Sequence, residues 1–173
     1  MGKLDKRVAI VTGGGSGIGK GIARGLAAEG AKTVIAARGA ERLDKAAEEI
    51  QASGATVLAI PTDVTDEAQV DALFADAMGR LGRVDILVNC AGAFDGGPLD
   101  EISVETWDKV IATNLKGPFL CTRAAMRIMK QQKGGRILNI GSISAQRPRL
   151  HSGPYSASKF GLWGLTIVTA LEG

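Results

Sequence analysis

Three side chains in the last third of the sequence have the types and spacing of an acid–base site. Ser142 precedes Tyr155 by 13 residues, and Lys159 follows Tyr155 by four. Residues four apart share one face of a helix, so an ammonium group would stand one turn from a phenol. A tyrosine of ordinary pKa, near 10, is a poor base at neutral pH, and a nearby ammonium favours the phenolate form. By itself the pattern also fits an amphipathic tyrosine and a solvated lysine.

A glycine-rich turn at residues 12–20 has the composition of a phosphate-binding loop. It follows a β-branched apolar run and leads into a helical pattern. Glycines let backbone amides approach an anion, and a helix N-terminus adds a favourable dipole. The residues of this turn that we expect at a bound cofactor are Thr12, Gly13, Gly15, Ser16, Gly17, Ile18 and Gly19.

The turn nearly satisfies the signature of a P-loop for nucleoside triphosphates. Gly14, Gly19 and Lys20 have the right spacing, but Gly21 stands where Ser or Thr should ligate magnesium. The helical pattern also begins at Ile18, too early for a wrapped loop. We therefore favour a dinucleotide, although the usual Gly-x-Gly-x-x-Gly fingerprint is not met either.

Two other strand ends carry residues suited to the same ligand. The fourth predicted strand ends in Asn89, followed by Cys90, Ala91 and Gly92, and Asp63 with Val64 follows the third. The carboxyl ends of parallel strands form one edge of a sheet, where ligands bind. A strand ending in a tight turn, with Asp63 as a turn residue, explains these segments equally well.

Taken in order along the chain, these segments resemble the short-chain dehydrogenase/reductase family. The matching features are a glycine motif with Thr in front, an Asn-Asn-Ala-Gly segment with Cys90 at its second place, the acidic residue Asp63, the Ser142 spacing and Tyr-x-x-x-Lys. The resemblance covers nearly the whole chain and has the general look of a 3-oxoacyl reductase. It implies a Rossmann-type fold and an oxidoreductase that interconverts a carbonyl and a secondary alcohol by hydride transfer.

The resemblance also implies a role for each candidate catalytic residue. Tyr155 would be the general acid in reduction and the base in oxidation, while Lys159 assists it and holds the nicotinamide ribose. Ser142 would donate a hydrogen bond to the substrate oxygen. Asn114 fits the family's fourth catalytic residue, which supports a proton-relaying water. Asp63 would contact adenine, and the segment at Asn89 would steady the sheet beside the cofactor.

The end of the second strand bears on the choice of cofactor. An NAD enzyme usually places a carboxylate there for the ribose 2′-hydroxyl, whereas this chain has Ala36-Ala37-Arg38. Arg38 suits a 2′-phosphate, which predicts NADP rather than NAD. The other explanation is that Arg38 simply begins a loop, with Arg42 and Lys45 nearby.

Substrate identity is open, although the loops at residues 94–98 and 146–152 should face the pocket, where Arg147 and Arg149 could meet an acidic group.

The elements that must position these residues alternate between strand and helix patterns. Nearly continuous apolar runs, typical of parallel strands covered on both faces, lie at residues 8–11, 33–36, 56–60, 86–88 and 136–140. Helix-period stripes separate them, with Thr65 or Asp66 as a cap and a long helix over 104–131 that Gly117-Pro118 should kink. A last helix should start near Gly153-Pro154. The pattern predicts a doubly wound parallel α/β sheet with helices on both faces, in one dinucleotide-binding domain spanning residues 1–173.

Composition excludes several classes of protein. Glycine is abundant, at 24 of 173 residues, but five prolines and no three-residue period exclude collagen. A net charge of +3 without a basic run argues against nucleic-acid or membrane binding. Two cysteines and one histidine make a metal site or a disulfide framework improbable. With no export signal or apolar span, we expect a cytoplasmic protein with a small-molecule substrate.

The chain ends earlier than the family pattern. It stops in or just past the Tyr155 helix, so we expect an incomplete domain that lacks at least one strand and leaves the fifth strand at the sheet edge. The last helix is apolar nearly all round, and the resemblance implies that it packs against a second subunit in a homodimer or homotetramer. An alternative to the enzyme is a catalytically incompetent fragment that binds only nucleotide or partner subunits.

Overall fold

The centre of the molecule is a parallel sheet of five strands, seen in a computed structural model that describes residues 2–173. The strands are β1 (Val8–Thr12), β2 (Lys32–Ala37), β3 (Val57–Pro61), β4 (Ile86–Asn89) and β5 (Arg136–Asn139). Their order is β3-β2-β1-β4-β5, so the strand order reverses between β1 and β4. This arrangement confirms the doubly wound Rossmann-type sheet, and the reversal marks where a ligand crevice opens.

Within residues 2–173, six α-helices connect or follow the strands. They are α1 (Gly17–Ala28), α2 (Ala40–Gln51), α3 (Glu67–Leu81), α4 (Val104–Ile111), α5 (Gly117–Gln132) and α6 (Gly153–Glu172). A π-helical turn at Ala112–Lys116 joins α4 to α5, and a 3₁₀ turn at Ile143–Ala145 follows β5. Every loop that the sequence singled out therefore lies after the carboxyl end of a strand.

Both faces of the sheet are covered, because successive residues of a strand point to opposite sides. Ile10 belongs to the apolar cluster under α3 and α5, and the next residue, Val11, belongs to the cluster under α1 and α2. Val34 belongs to the first of these clusters and Ile35 to the second, and all four side chains are fully buried. Each such burial contributes about 1.5–3 kcal/mol, which makes β1 and β2 a rigid base for the loops above them.

β5 departs from the prediction that all five strands are covered on both faces. Its residues are only half-buried or exposed, and Leu138 is 48% exposed. The reason is its position, since β5 pairs with β4 on one side and forms the edge of the sheet on the other.

The structure also decides two points about the helices. Asp66, and not Thr65, caps α3, since its carboxylate accepts hydrogen bonds from the amides of Ala68 and Gln69. The predicted kink at Gly117-Pro118 lies instead in the π-helical turn that ends at Lys116. Pro118 has no amide hydrogen and its ring crowds the carbonyl four residues back, and the wider π turn relieves that conflict.

Within residues 2–173, none of the helices combines the length and apolar character that crossing a bilayer requires.

Candidate active site

The glycine turn after β1 is shaped by close backbone contacts that side chains would prevent. Gly13 adopts a left-handed conformation, with φ at +68°, and a Cβ there would stand 2.9 Å from the amide nitrogen of Ala91. A Cβ at Gly19 would collide with the Gly13 carbonyl oxygen. The turn therefore packs directly on the segment after β4 and under the first turn of α1. Only glycine permits both contacts.

The N-terminus of α1 is free to receive an anion. Its cap residue Ser16 makes no side-chain capping bond, and its first turn holds no acidic residue. α3, by contrast, is capped by Asp66 and carries Glu67 in its first turn. Because amides at a helix start have no partner within the helix, those of α1 remain available to a phosphate group.

The P-loop alternative does not fit this geometry. α1 already begins at Gly17, so no extended loop remains between Gly14 and Gly19 to wrap a phosphate. The ammonium of Lys20, the residue that would reach the phosphates, is paired with Glu49 of α2 at 2.8 Å.

A cleft of about 900 Å³ opens from the glycine turn along the carboxyl ends of β2, β3 and β4. Several predicted cofactor residues line it: Gly13, Gly15, Ser16, Arg38, Asp63, Val64, Ala91 and Gly92. Arg42, Lys45 and Thr113 also line it and were not among the predicted site residues. Three cations, Arg38, Arg42 and Lys45, thus line the end of the cleft beside β2, together with one carboxylate, Glu41.

Some predicted cofactor residues shape the cleft without facing it. The Thr12 hydroxyl is buried and accepts hydrogen bonds from the amides of Cys90 and Ala91, at 3.0 and 3.1 Å, which fixes the segment after β4. The amide group of Asn89 donates to Thr122 and to Asn139, at 3.2 and 2.8 Å, and so ties β4 to α5 and β5.

Asp63 and Ile18 differ in how they sit at the cleft. One carboxylate oxygen of Asp63 accepts from both the amide and the hydroxyl of Thr65, at 2.9 and 2.8 Å, as in an ordinary turn. Asp63 nevertheless lines the cleft, so both explanations of this residue apply. Ile18, by contrast, lies in the first turn of α1 with 68% of its side chain exposed.

Lys159 is a buried cation rather than a solvated one. Only 7% of the residue is exposed, and its ammonium donates to the Ile140 carbonyl at 2.7 Å. Burial lowers its pKa, while the nearby Cys90 thiol acts in the opposite direction. In the part of the chain that the structure describes, no carboxylate pairs with this ammonium, which lies 5.7 Å from the centre of the Tyr155 ring.

A short chain of hydrogen bonds links the Tyr155 backbone to Asn114. The Ser158 hydroxyl donates to the Tyr155 carbonyl at 2.6 Å and accepts from the Asn114 amide group at 3.2 Å. Asn114 is fully buried and also clamps Ala93, accepting from its amide at 2.7 Å and donating to its carbonyl at 2.8 Å. These contacts leave Asn114 one unused lone pair on Oδ1.

Ser142 stands at the start of the 3₁₀ turn that follows β5, two residues beyond the carbonyl that holds Lys159. Its hydroxyl oxygen accepts from the Ser144 amide at 3.1 Å, so its own hydrogen is free to be donated. The structure therefore places Ser142, Tyr155, Lys159 and Asn114 on neighbouring, mutually tied segments. Sequence reasoning missed Ser158, whose only signal is a small polar residue between Tyr155 and Lys159.

Comparison with known proteins gives the same picture over the whole chain. The family model described as short chain dehydrogenase matches residues 7–173. The chain is 47% identical to "Granaticin polyketide synthase putative ketoacyl reductase 1" of Streptomyces violaceoruber, over 99% of this chain and 64% of that protein. It is 39% identical to 3-oxoacyl-[acyl-carrier-protein] reductase of Synechocystis, over 99% of this chain and 70% of that one. The chain thus spans about two thirds of the length of these relatives.

Solved structures share the overall fold. A variant of actinorhodin polyketide ketoreductase crystallised with NADPH superimposes with a TM-score of 0.95 at 40% identity, covering 99% of this chain and 67% of that one. A metagenomic short-chain oxidoreductase in complex with NADP gives 0.93 at 39% identity, covering 98% of this chain and 77% of that one. On the family match and these identities, the chain belongs to the short-chain dehydrogenase family.

Proposed function

We propose that this chain carries the cofactor-binding and catalytic part of an NADP-dependent oxidoreductase that interconverts a ketone and a secondary alcohol. The observation that carries the proposal is the Tyr155–Lys159 pair on α6. The lysine charge is buried, has no carboxylate partner among residues 2–173, and lies against the tyrosine ring. A buried charge with no counter-ion is costly unless it serves a ligand or a reacting group.

Each polar side chain then has a defined task. The bound nicotinamide would supply the hydride chemistry. The Tyr155 hydroxyl donates a proton to the oxygen that becomes negative during reduction and accepts it during oxidation. The free hydroxyl hydrogen of Ser142 is donated to the same oxygen. Lys159 keeps positive charge beside the phenol and binds the ribose, while Asn114 holds the loop after β4 and offers its remaining lone pair to a water.

The cofactor fit rests on features of the cleft. The open N-terminus of α1 suits the pyrophosphate, because its first amides have no partner within the helix, and the glycine turn holds that helix start close to the segment after β4. Arg38, Arg42 and Lys45 line the end of the cleft beside β2, where a 2′-phosphate would bind, and outnumber the single carboxylate there, Glu41. Asp63 and Val64 line the cleft for adenine. Solved relatives that hold NADPH and NADP support the same choice.

The direct test is oxidation of NADPH by the purified chain with a set of ketones. The set should include 3-oxoacyl thioesters, because two relatives are named for ketoacyl substrates. We expect turnover that depends on both ketone and NADPH and that disappears in Tyr155→Phe. NADPH binding without any turnover would contradict the proposal and favour the alternative of a nucleotide-binding fragment.

We also propose that a second copy of the chain packs on the outer face of α6. Five large apolar side chains of α6 are between 46% and 81% exposed: Phe160, Trp163, Ile167, Val168 and Leu171. No charged residue interrupts residues 160–171, so the face can pack against its own copy around a two-fold axis. Trp163→Lys should convert a dimer or tetramer into monomers in analytical ultracentrifugation. An unchanged mass would contradict this interface.

A further inference from the structure

We propose that Phe94 selects the substrate, because it holds the Tyr155 ring in place and presents an apolar wall that favours a flat, apolar group beside the reacting carbonyl. The inference rests on the proposed function of Tyr155. It adds a positioning and specificity role for a residue of the loop after β4.

Phe94 contacts the ring of Tyr155 directly. The two ring centroids are 5.1 Å apart and the planes meet at 65°, an edge-to-face arrangement. The Lys159 ammonium lies 5.7 Å from the same tyrosine ring. Lys159 comes from α6 itself, whereas Phe94 comes from a separate loop. The direction of the Tyr155 hydroxyl therefore depends on where that loop is held.

The loop that carries Phe94 is fixed on both sides. Immediately before it, both backbone groups of Ala93 are bonded to the Asn114 side chain. Three residues after it, the Gly97 amide donates to the His151 carbonyl at 3.1 Å. At Gly96 a Cβ would collide with that carbonyl, so the two loops pass as closely as backbones can. The backbone at Phe94 is thus fixed before any ligand arrives, which reduces the entropic cost of binding against its side chain.

The environment of Phe94 leaves an apolar surface open. Its side chain is 71% exposed despite the fixed backbone, and Leu150, on the facing loop, is 89% exposed. The adjacent charge is neutralised, since Asp95 pairs with Lys109 at 3.0 Å and accepts from the Gly96 amide. A large rigid aromatic group left in water beside a catalytic hydroxyl is typical of a binding surface.

Two β-ketoesters that differ only beside the carbonyl test the specificity role. Ethyl benzoylacetate carries a phenyl group where ethyl acetoacetate carries a methyl group. We expect Phe94→Ala to lower the ratio of kcat/KM for ethyl benzoylacetate to kcat/KM for ethyl acetoacetate roughly tenfold, mainly by raising KM for ethyl benzoylacetate. Phe94→Leu should keep part of the preference. Phe119→Ala, which removes another partly exposed phenylalanine, 44% exposed and beside Arg123 on α5, is the control and should leave the ratio unchanged. An unchanged ratio in Phe94→Ala would overturn the specificity role.

The positioning role has a readout that does not need turnover. Tyr155 is the only tyrosine of the chain, so ¹³C-labelled tyrosine gives NMR signals from this ring alone. We expect Phe94→Leu to shift those signals through loss of the neighbouring ring current, and Phe119→Ala to leave them in place. Ethyl benzoylacetate should shift them in the native chain, with roughly tenfold weaker binding in Phe94→Ala.

The two readouts separate failure of the inference from failure of the proposed function. Signals that do not respond to Phe94→Leu overturn the positioning role. A chain that shows both NMR effects but reduces no ketone contradicts the proposed function and still supports the role of Phe94 at this surface.

Discussion

The nucleotide cleft and the group of catalytic residues next to it, none of which lines the cleft itself, are built in opposite ways, and we call them the nucleotide end and the catalytic end of the site. At the nucleotide end, the surface is backbone, and its shape depends on side chains that are absent at Gly13 and Gly19. At the catalytic end, the geometry depends on polar side chains that are present, such as Asn114, which donates to the Ser158 hydroxyl, which in turn donates to the Tyr155 backbone carbonyl. An added methyl group should therefore damage the first end, and a removed polar group should damage the second. Each prediction below tests one side of that contrast.

The largest effect is expected at the catalytic end, from removal of one oxygen. Tyr155→Phe keeps the ring and its contact with Phe94 but deletes the hydroxyl. General acid–base groups contribute about 10²–10⁴-fold to rate, so we expect kcat for ketone reduction to fall by that factor. Steady-state NADPH oxidation measures it. The NADPH dissociation constant should stay within about threefold of the native value by the affinity arithmetic. A variant that retains its activity would remove Tyr155 from the chemistry.

The strands of the sheet were predictable because burial on both faces leaves a short, continuous apolar run in the sequence of each strand. Continuous apolar runs such as residues 8–11 belong to strands buried on both faces, and right-handed crossovers between parallel strands bring their carboxyl ends to one edge of the sheet. β5 has a similar apolar pattern and lies at the edge of the sheet, as expected, but the exposure of its residues was not predictable, since pattern alone does not say which elements cover a strand. The π turn before Gly117 was not predictable, because one extra residue in a turn leaves the helical stripe nearly intact.

The candidate site likewise contains some residues that the sequence predicts and others that it does not. Tyr155, Lys159 and the glycine turn carry spacing signals, and the structure places each of them after the carboxyl end of a strand, β5 for the first two and β1 for the turn. Ser158 and Phe94 carry no such signal, since their roles come from contacts across the fold. Thr12 was expected at the cofactor because it adjoins the glycines, but its hydroxyl is buried under the segment after β4.

The next largest effect is expected at the nucleotide end, from one added methyl group. Gly19→Ala places a Cβ against the Gly13 carbonyl, so the glycine turn must move. Overpacking of this kind costs about 1–3 kcal/mol, and we expect NADPH affinity to fall by at least about tenfold. Isothermal titration measures the affinity and urea unfolding the stability.

Gly21→Ala is the matched control in the same helix. Nothing lies within 4 Å of a Cβ at this position, so the change should stabilise the fold by about 0.5–1 kcal/mol through helix propensity. NADPH affinity should not change. Equal effects at Gly19 and Gly21 would show that the close contact under α1 does not shape the cofactor site.

A smaller effect, on the preference for NADPH over NADH, is expected from the charged side chain of Arg38 at the nucleotide end. Arg38→Asp replaces a cation of the cleft with the carboxylate that suits a ribose 2′-hydroxyl. A hydrogen bond to a charged group contributes about 1.5–3 kcal/mol, so the ratio of NADPH to NADH affinity should fall about 10–100-fold. Arg127→Asp makes the same charge change on an exposed position of α5 and should leave the ratio alone. Unchanged selectivity in Arg38→Asp would exclude this residue as the determinant.

The smallest effect concerns the stability of the catalytic end as a function of pH. Burial lowers the pKa of Lys159 in the folded chain, so the unfolded chain binds more protons between the folded pKa and the ordinary lysine value. Stability from this residue must then rise with pH across that window, because the penalty for burying the charge is present below the folded pKa and is lifted above it. Lys159→Met lacks this dependence. Between neutral and alkaline pH, we expect the free energy of unfolding of the native chain, measured in urea, to rise relative to that of the variant. The rise should be no more than about 1.4 kcal/mol for each unit by which the pKa of Lys159 is lowered. A difference that stays constant or shrinks with pH would mean that Lys159 is solvated in solution, and the catalytic end would lose its buried charge.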